Sequence, residues 1–274
     1  MVPAYLQSTG ELLRSLSGNR RLLVALMKRE ISDEYVTHNL SIGWNFIHPL
    51  FLMVVYLFIF TDIFPTRVRP QEIGSDAIIY LLSGIIPWLA LQQVMGRSTM
   101  SVVSNSSIVK QISFPLELLP VKTLAGPAVY TAVSLVFLVG YAIWKTDGAL
   151  IPSYLVGLPP LILITFIQLV GIALLLSSIQ VFFPDTKEFI NLFLTIGLFI
   201  QPILYLPNAI PAIVRPIIYA SPFSYLIFCW HDVLFFGRIT SVLTWAILVS
   251  LTIAFFVLGA RLFIVTKHHF GDFV

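Results

Sequence analysis

The chain has 274 residues, 58% of them hydrophobic and only 11% charged, with a mean hydropathy of +0.93. A soluble domain carries roughly 25% charged residues, so this chain cannot cover its surface in water and much of that surface faces lipid. Its net charge of +3 suits the retention of Lys and Arg on the cytoplasmic side of a membrane protein better than nucleic acid, and the single Cys229 excludes an intramolecular disulfide or a multi-cysteine metal cluster.

The first 43 residues hold Arg14, Arg20, Arg21, Lys28 and Arg29 without a continuous apolar run before a cleavage site, so insertion is expected to use an internal span. Leu12, Leu13, Leu16, Leu22, Leu23 and Leu26 alternate with these basic residues. That pattern predicts an amphipathic helix lying in the membrane interface, the alternative being a soluble helix packed on another domain.

A helical crossing needs about 20 mostly apolar residues. Stretches free of Asp, Glu, Lys and Arg lie at 44–61, 77–96, 123–144, 148–184, 189–214 and 239–260. The fourth is too long for one helix and short for two. Pro159-Pro160 interrupts it, and proline suits a helix's first turn better than its interior, so the span is placed from about Pro160 after an external loop. The predicted fold is an all-α polytopic membrane protein, one transmembrane domain over 1–274. Its six spans lie near 44–64, 77–96, 118–144, 160–183, 189–206 and 239–264.

Between spans five and six, Pro207, Pro211, Pro216 and Pro222 punctuate an apolar stretch too often for a crossing helix. Broken backbone at membrane depth must be buried in protein or line a wet cavity. Two short re-entrant helices over 207–236, entering and leaving from the outer side, are expected. With the N-terminus inside, eleven Lys and Arg fall on cytoplasmic segments and five on external ones, which places both termini in the cytoplasm.

No GxxxxGK[ST] phosphate loop, HExxH or GxSxG occurs, so neither a nucleotide cradle nor a recognisable hydrolase site is present. His38, His48, His231, His268 and His269 form no ligand spacing with Cys229. The apolar runs carry no ionisable side chain at mid-span, whereas ion-coupled carriers and proton pumps keep such groups at membrane depth. The energy for transport must then come from elsewhere. A membrane-embedded transferase acting on a lipid carrier is the alternative from another class, and Asp185, Glu188, His231 and Asp232 are too scattered to support it.

Segment 83–120, from the end of one span through a polar basic loop to the start of the next, organises the chain. The loop 97–115 is the longest polar excursion on the inner side after the N-terminus. Phe114-Pro115 forms a stiff knob in it, because proline fixes its own backbone and restricts its neighbour. Such a loop can turn the movement of a docked partner into helix tilt.

Several stretches together resemble permeases of polysaccharide-exporting ABC transporters. In REISDEYVTHNLSIGWNFIHPL (29–50), Arg29, Glu30, Ile31, Tyr35, Leu40, Trp44 and Pro49 fall in that family's register. GIIPW (84–88) matches its Gly-x-x-Pro-Trp, and KQISFPLELLP (110–120) is similar to its Lys-x-x-Phe-Pro-x-Glu-x-x-Pro loop. FFPDTKEF (182–189), QPILY (201–205) and SPFSYL (221–226) follow in order. Departures occur at Ser32, Glu34, Pro184-Asp185, Ser221-Pro222 and His231.

The resemblance implies a permease half-channel that pairs with a second copy of itself. Two copies of a separate cytoplasmic ATP-binding subunit carry ATP and Mg, and this chain binds no cofactor or metal of its own. The cargo implied is a lipid-linked glycan of O-antigen, lipopolysaccharide, capsule or teichoic-acid type, moved across a bacterial inner membrane. A related ABC permease for drugs or lipids is the nearest alternative. ATPase coupling is expected at Arg97, Lys110, Phe114 and Pro115, with a second contact at Arg29, Glu30 and Tyr35. Channel or substrate candidates are Tyr56, Trp88, Gln201, Tyr205, Tyr219 and Tyr225, because sugar rings pack C–H faces on aromatic rings; Trp and Tyr also populate interfacial belts. Arg20, Arg21, Lys28 and Arg29 are candidates for the carrier's pyrophosphate, and equally for anionic lipid.

Overall fold

The computed structural model describes residues 4–33, 77–110, 114–203 and 212–274, with a few positions between 47 and 59. The expected first span, 44–64, falls largely outside the described residues, as do Tyr35, Tyr56 and Tyr205. Every regular element among the described residues is helical, and four helices are long and apolar enough to cross a membrane.

Two helices open the chain, α1 (Ala4–Gly18) and α2 (Arg20–Asp33), separated at Asn19. Leu12 is fully buried, and α1 lies against the last long helix. Arg20, Arg21, Lys28 and Arg29 are all exposed.

Helix α3 (Ala77–Thr99) is apolar on all sides and is wrapped by its neighbours, as such a helix must be. Two motif residues fix how closely those neighbours approach. Gly84 leaves room for the His231 imidazole, which a Cβ there would meet at 2.8 Å; the imidazole stacks on Tyr80 with centroids 4.1 Å apart. Trp88 is 1% exposed and lies over Gly197, where any side chain would collide with the indole.

After α3 the chain continues as single helical turns, Val103–Asn105 and Ser106–Val109, rather than as an open loop. Their own hydroxyls and amides hold them: Thr99 donates to the Met95 carbonyl, Ser101 to Ser98, Ser104 to Met100 and Asn105 to Ser101. The short α4 (Leu118–Lys122) then leads into α5 (Ala125–Lys145). Asp147 and Gly148, both at positive φ, close α5, with the Gly148 N–H donating to the Ile143 carbonyl. A left-handed residue followed by a six-residue backbone bond is a recognised helix stop.

Helix α6 (Ile151–Phe182) begins earlier than expected. The stretch read as an external loop before Pro160 is helical, and both prolines lie inside the helix. Pro152 occupies the first turn, where proline is favoured. The interior pair is exposed, while the start of the helix is pinned: Ser153 donates to the Val233 carbonyl at 3.0 Å and Tyr154 to Leu234 at 2.9 Å. Tertiary hydrogen bonds thus outweigh the local helix-breaking preference.

Helix α7 (Thr186–Ile200) is followed by two short helices, α8 (Arg215–Ala220) and α9 (Pro222–His231), and a π-type turn, Asp232–Phe236. Helix α10 (Val242–Thr266) starts at Ser241, whose hydroxyl caps the Thr244 N–H. It packs along α6 at Gly171 and Gly259, where a Cβ on either residue would fall on the other helix's backbone. Small residues at such a crossing allow close backbone approach, the usual way apolar helices pack in lipid. The chain ends in α11 (Phe270–Phe273).

Candidate functional site

Two places gather the candidate residues. The first is the end of the bundle where α3 stops and α4 begins. Phe114 and Pro115 are half-buried, and the Pro115 and Leu116 carbonyls accept from Leu118 and Leu119, so the knob leads directly into α4. Glu117, beside it, is only 3% exposed. An ion pair of 2.9 Å joins Lys122, at the end of α4, to Glu30 on α2. The Arg29–Glu30 region is therefore placed against the end of α4, seven residues beyond the Phe114-Pro115 knob. At the other end of α4, Lys267 Nζ lies 2.9 Å from Glu11 and 3.8 Å from Glu117. Lys110 is exposed, and Arg97 and Arg29 both have partners.

Sequence reasoning missed Glu117, Lys122 and Lys267. Glu117 stood in the quoted loop motif. Lys267 gave no signal, because its partner Glu11 is 256 residues away in sequence.

On α2, Arg21 and Lys28 are seven residues apart and so share a face, flanked by Arg20 and Arg29. Leu23, Leu26, Met27 and Glu30 lie on the half-buried side. The helix thus presents a basic stripe away from the bundle.

The second place is formed by α8, α9, the π-type turn and the start of α10. Irregular backbone here is tied down on three sides. Gln201, fully buried, bonds Ser221 and Ser224 through its side-chain amide. Ser153 and Tyr154 satisfy the turn's carbonyls from α6. The Asp232 carboxylate, 2% exposed, accepts from the Thr240 hydroxyl at 2.6 Å, the Thr240 N–H at 3.2 Å and the Trp245 indole at 2.9 Å. Donor bonds of this kind to a carboxylate are the stronger class, roughly 1.5–3 kcal/mol each.

Against this frame lies a cavity of about 340 Å³, lined by Tyr219, Tyr225, Phe228, Thr240, Ser241 and Thr244 among others. The Tyr225 hydroxyl donates to the Tyr219 carbonyl at 2.9 Å, and both phenol rings lie within 6.5 Å of Phe228. Tyr219 is 46% exposed. The wall therefore offers aromatic faces and hydroxyls together. Of the channel candidates, Tyr219 and Tyr225 share this cavity. Trp88 and Gln201 lie in packed surroundings instead, Trp88 edge-on to Phe193 at 6.0 Å. Phe228, Thr240, Ser241 and Thr244 were not singled out from sequence, since nothing local marks a hydroxyl on a loop as part of a wall built by three helices.

The O-antigen export system permease protein RfbA of Klebsiella pneumoniae is 24% identical over 255 residues, covering 92% of this chain and 94% of that protein. A second Klebsiella pneumoniae protein of the same name is 23% identical over the same shares. The Myxococcus xanthus protein of that name is 26% identical over 71% of this chain and 72% of its own length. Residues 21–235, which include all of α2 but Arg20, the 97–115 loop and the cavity's aromatic wall, match the ABC-2 type transporter family. The long apolar helices and a match over most of its length make the chain a member of the ABC-2 type transporter family.

Proposed function

We propose that the chain is the membrane-spanning permease subunit of an ATP-driven exporter of lipid-linked polysaccharide. The observation that carries this reading is the match to the ABC-2 type transporter family, and the surface around Phe114-Pro115 supports it. The 114–122 segment bearing Phe114-Pro115 is bracketed by two ion pairs, Lys122 with Glu30 on α2 and Glu117 with Lys267 beyond α10; Lys267 also pairs with Glu11 on α1. A force applied there reaches the bundle through packed elements. The names of the three relatives, all O-antigen export permeases, support a glycan cargo.

In the full reading two copies of the chain enclose the path, six spans each with both termini in the cytoplasm of a bacterial inner membrane. The unit from α8 through the π-type turn re-enters from the outer side. Two copies of a cytoplasmic subunit bind ATP and Mg. Phe114, Pro115, Arg97 and Lys110 meet that subunit, with Arg29, Glu30 and Tyr35 beside them. Tyr219 and Tyr225, in the cavity with Phe228, stack sugar rings near the exit. The basic stripe of α2, with Arg20, Arg21, Lys28 and Arg29, faces the carrier's pyrophosphate at the inner leaflet.

Deletion in a producing bacterium tests the reading. Lipid-linked polymer should accumulate inside the cell and surface glycan should be lost; undiminished surface glycan rejects it.

A further inference from the structure

The end of the chain is built into the inner-side surface. Beyond α10, the turn Lys267–His269 leads into α11, and Phe270 is fully buried with its ring 5.3 Å from Phe263 and 6.0 Å from Phe182. Phe273 lies 5.0 Å from Phe182, and α11 also rests on the Ser106–Val109 turn. Four separate parts of the sequence meet here: the first helix, the inner-side loop, the end of α6 and the end of α10.

One side chain links three of them by charge. Lys267 is mostly covered, and its ammonium lies 2.9 Å from Glu11 on α1 and 3.8 Å from Glu117 behind the Phe114-Pro115 knob. An ammonium carries three donors and can serve two carboxylates at once. Glu11 is half exposed, and an exposed pair contributes little. Glu117 is different, since a carboxylate this deeply covered is costly without a cation. The loop is thus fastened at both ends, through Lys122 to α2 and through Lys267 to α1 and α10.

Resting on the permease reading above, we propose that Lys267 is a positioning residue for transport. It joins the 114–122 loop to α1 and to the inner end of α10, so that these move as one body when the ATP-hydrolysing subunit acts on the loop. Without it the loop moves and the last long helix does not follow. ATP is still consumed, and less polymer crosses for each ATP.

The test uses the permease assembled with its ATP-hydrolysing subunit in lipid vesicles, with the producing strain's own lipid-linked polysaccharide as cargo. Hydrolysis and translocation are measured together. Lys267→Gln should leave hydrolysis within about twofold while polymer moved per ATP falls roughly five- to tenfold, the range of coupling changes that single residues produce; Lys267→Arg should keep the wild-type ratio. A second variant, Lys267→Gln with Glu117→Gln, removes the stranded carboxylate. It carries the test if the single variant fails to assemble, and its ratio should stay low. A wild-type ratio in Lys267→Gln overturns the proposal, and so does restoration by the double variant, which would reduce the lysine to charge neutralisation. A wild-type complex that moves no glycan overturns the permease reading itself, and the proposal with it.

Discussion

Tyr154 shows what a single hydroxyl decides in this protein. It sits among apolar residues in a stretch that by sequence could be loop or helix, yet its O–H meets the Leu234 carbonyl of a turn 80 residues away. Tyr154→Phe leaves that carbonyl short of a donor in a buried place, at a cost of about 1–3 kcal/mol. The expected result is a lower unfolding midpoint in detergent with secondary structure unchanged at low temperature; an unchanged midpoint would show that the bond contributes nothing. Asp232 acts similarly with three donors. Asp232→Ala strands the Trp245 and Thr240 N–H groups, and should lower stability more than Tyr154→Phe does in the same assay. The identity of these residues is plain in the sequence, but their partners are not, because hydrogen bonds across 80 residues follow from the packing of helices rather than from local pattern.

At the scale of elements, length and apolarity anticipate an all-helical protein with several membrane-length helices, of which the described residues contain four. Spans two, three and six correspond to α3, α4 with α5, and α10. Helix α6, the expected fourth span, extends before Pro160 because its start is held from outside by the π-type turn, a force no local rule includes. The α6–α10 contact yields a prediction at this scale. Gly259→Leu forces a side chain onto the Gly171 backbone, and overpacking costs about 1–3 kcal/mol even where side chains can yield. Less folded protein should be recovered from membranes, and the loss should exceed that of Gly96→Leu, where a Cβ meets open space. Equal recovery of the two variants would refute the close crossing.

For the molecule as a whole, the proposed function asks how a force on the Phe114-Pro115 knob reaches the bundle. Phe114→Ala with Pro115→Ala removes the knob while leaving the ion pairs of Lys122 and Lys267 in place. Export should fall by an order of magnitude or more if the knob transmits force by position, with membrane insertion normal. Intact export from that variant would assign the loop a purely structural part. Orientation is checked separately. Ser107→Cys should react with a membrane-impermeant thiol reagent only after permeabilisation, and Lys145→Cys from outside intact cells. The reverse pattern would invert the topology.

The sequence by itself determined that the protein is helical and lives in lipid. Charge scarcity and run length answer to the solvent, and that answer needs no neighbours. It also carried the order of motifs on which the family resemblance stands. Only the tertiary structure decided which chemistry-bearing residues meet. It set Glu30 against Lys122 and drew Lys267 to Glu11 and Glu117. Of the four described channel candidates it gathered two into one aromatic wall and left Trp88 and Gln201 packed inside. The physical reason is that a helix's apolar face says that it must be covered, and only the assembled bundle says by what.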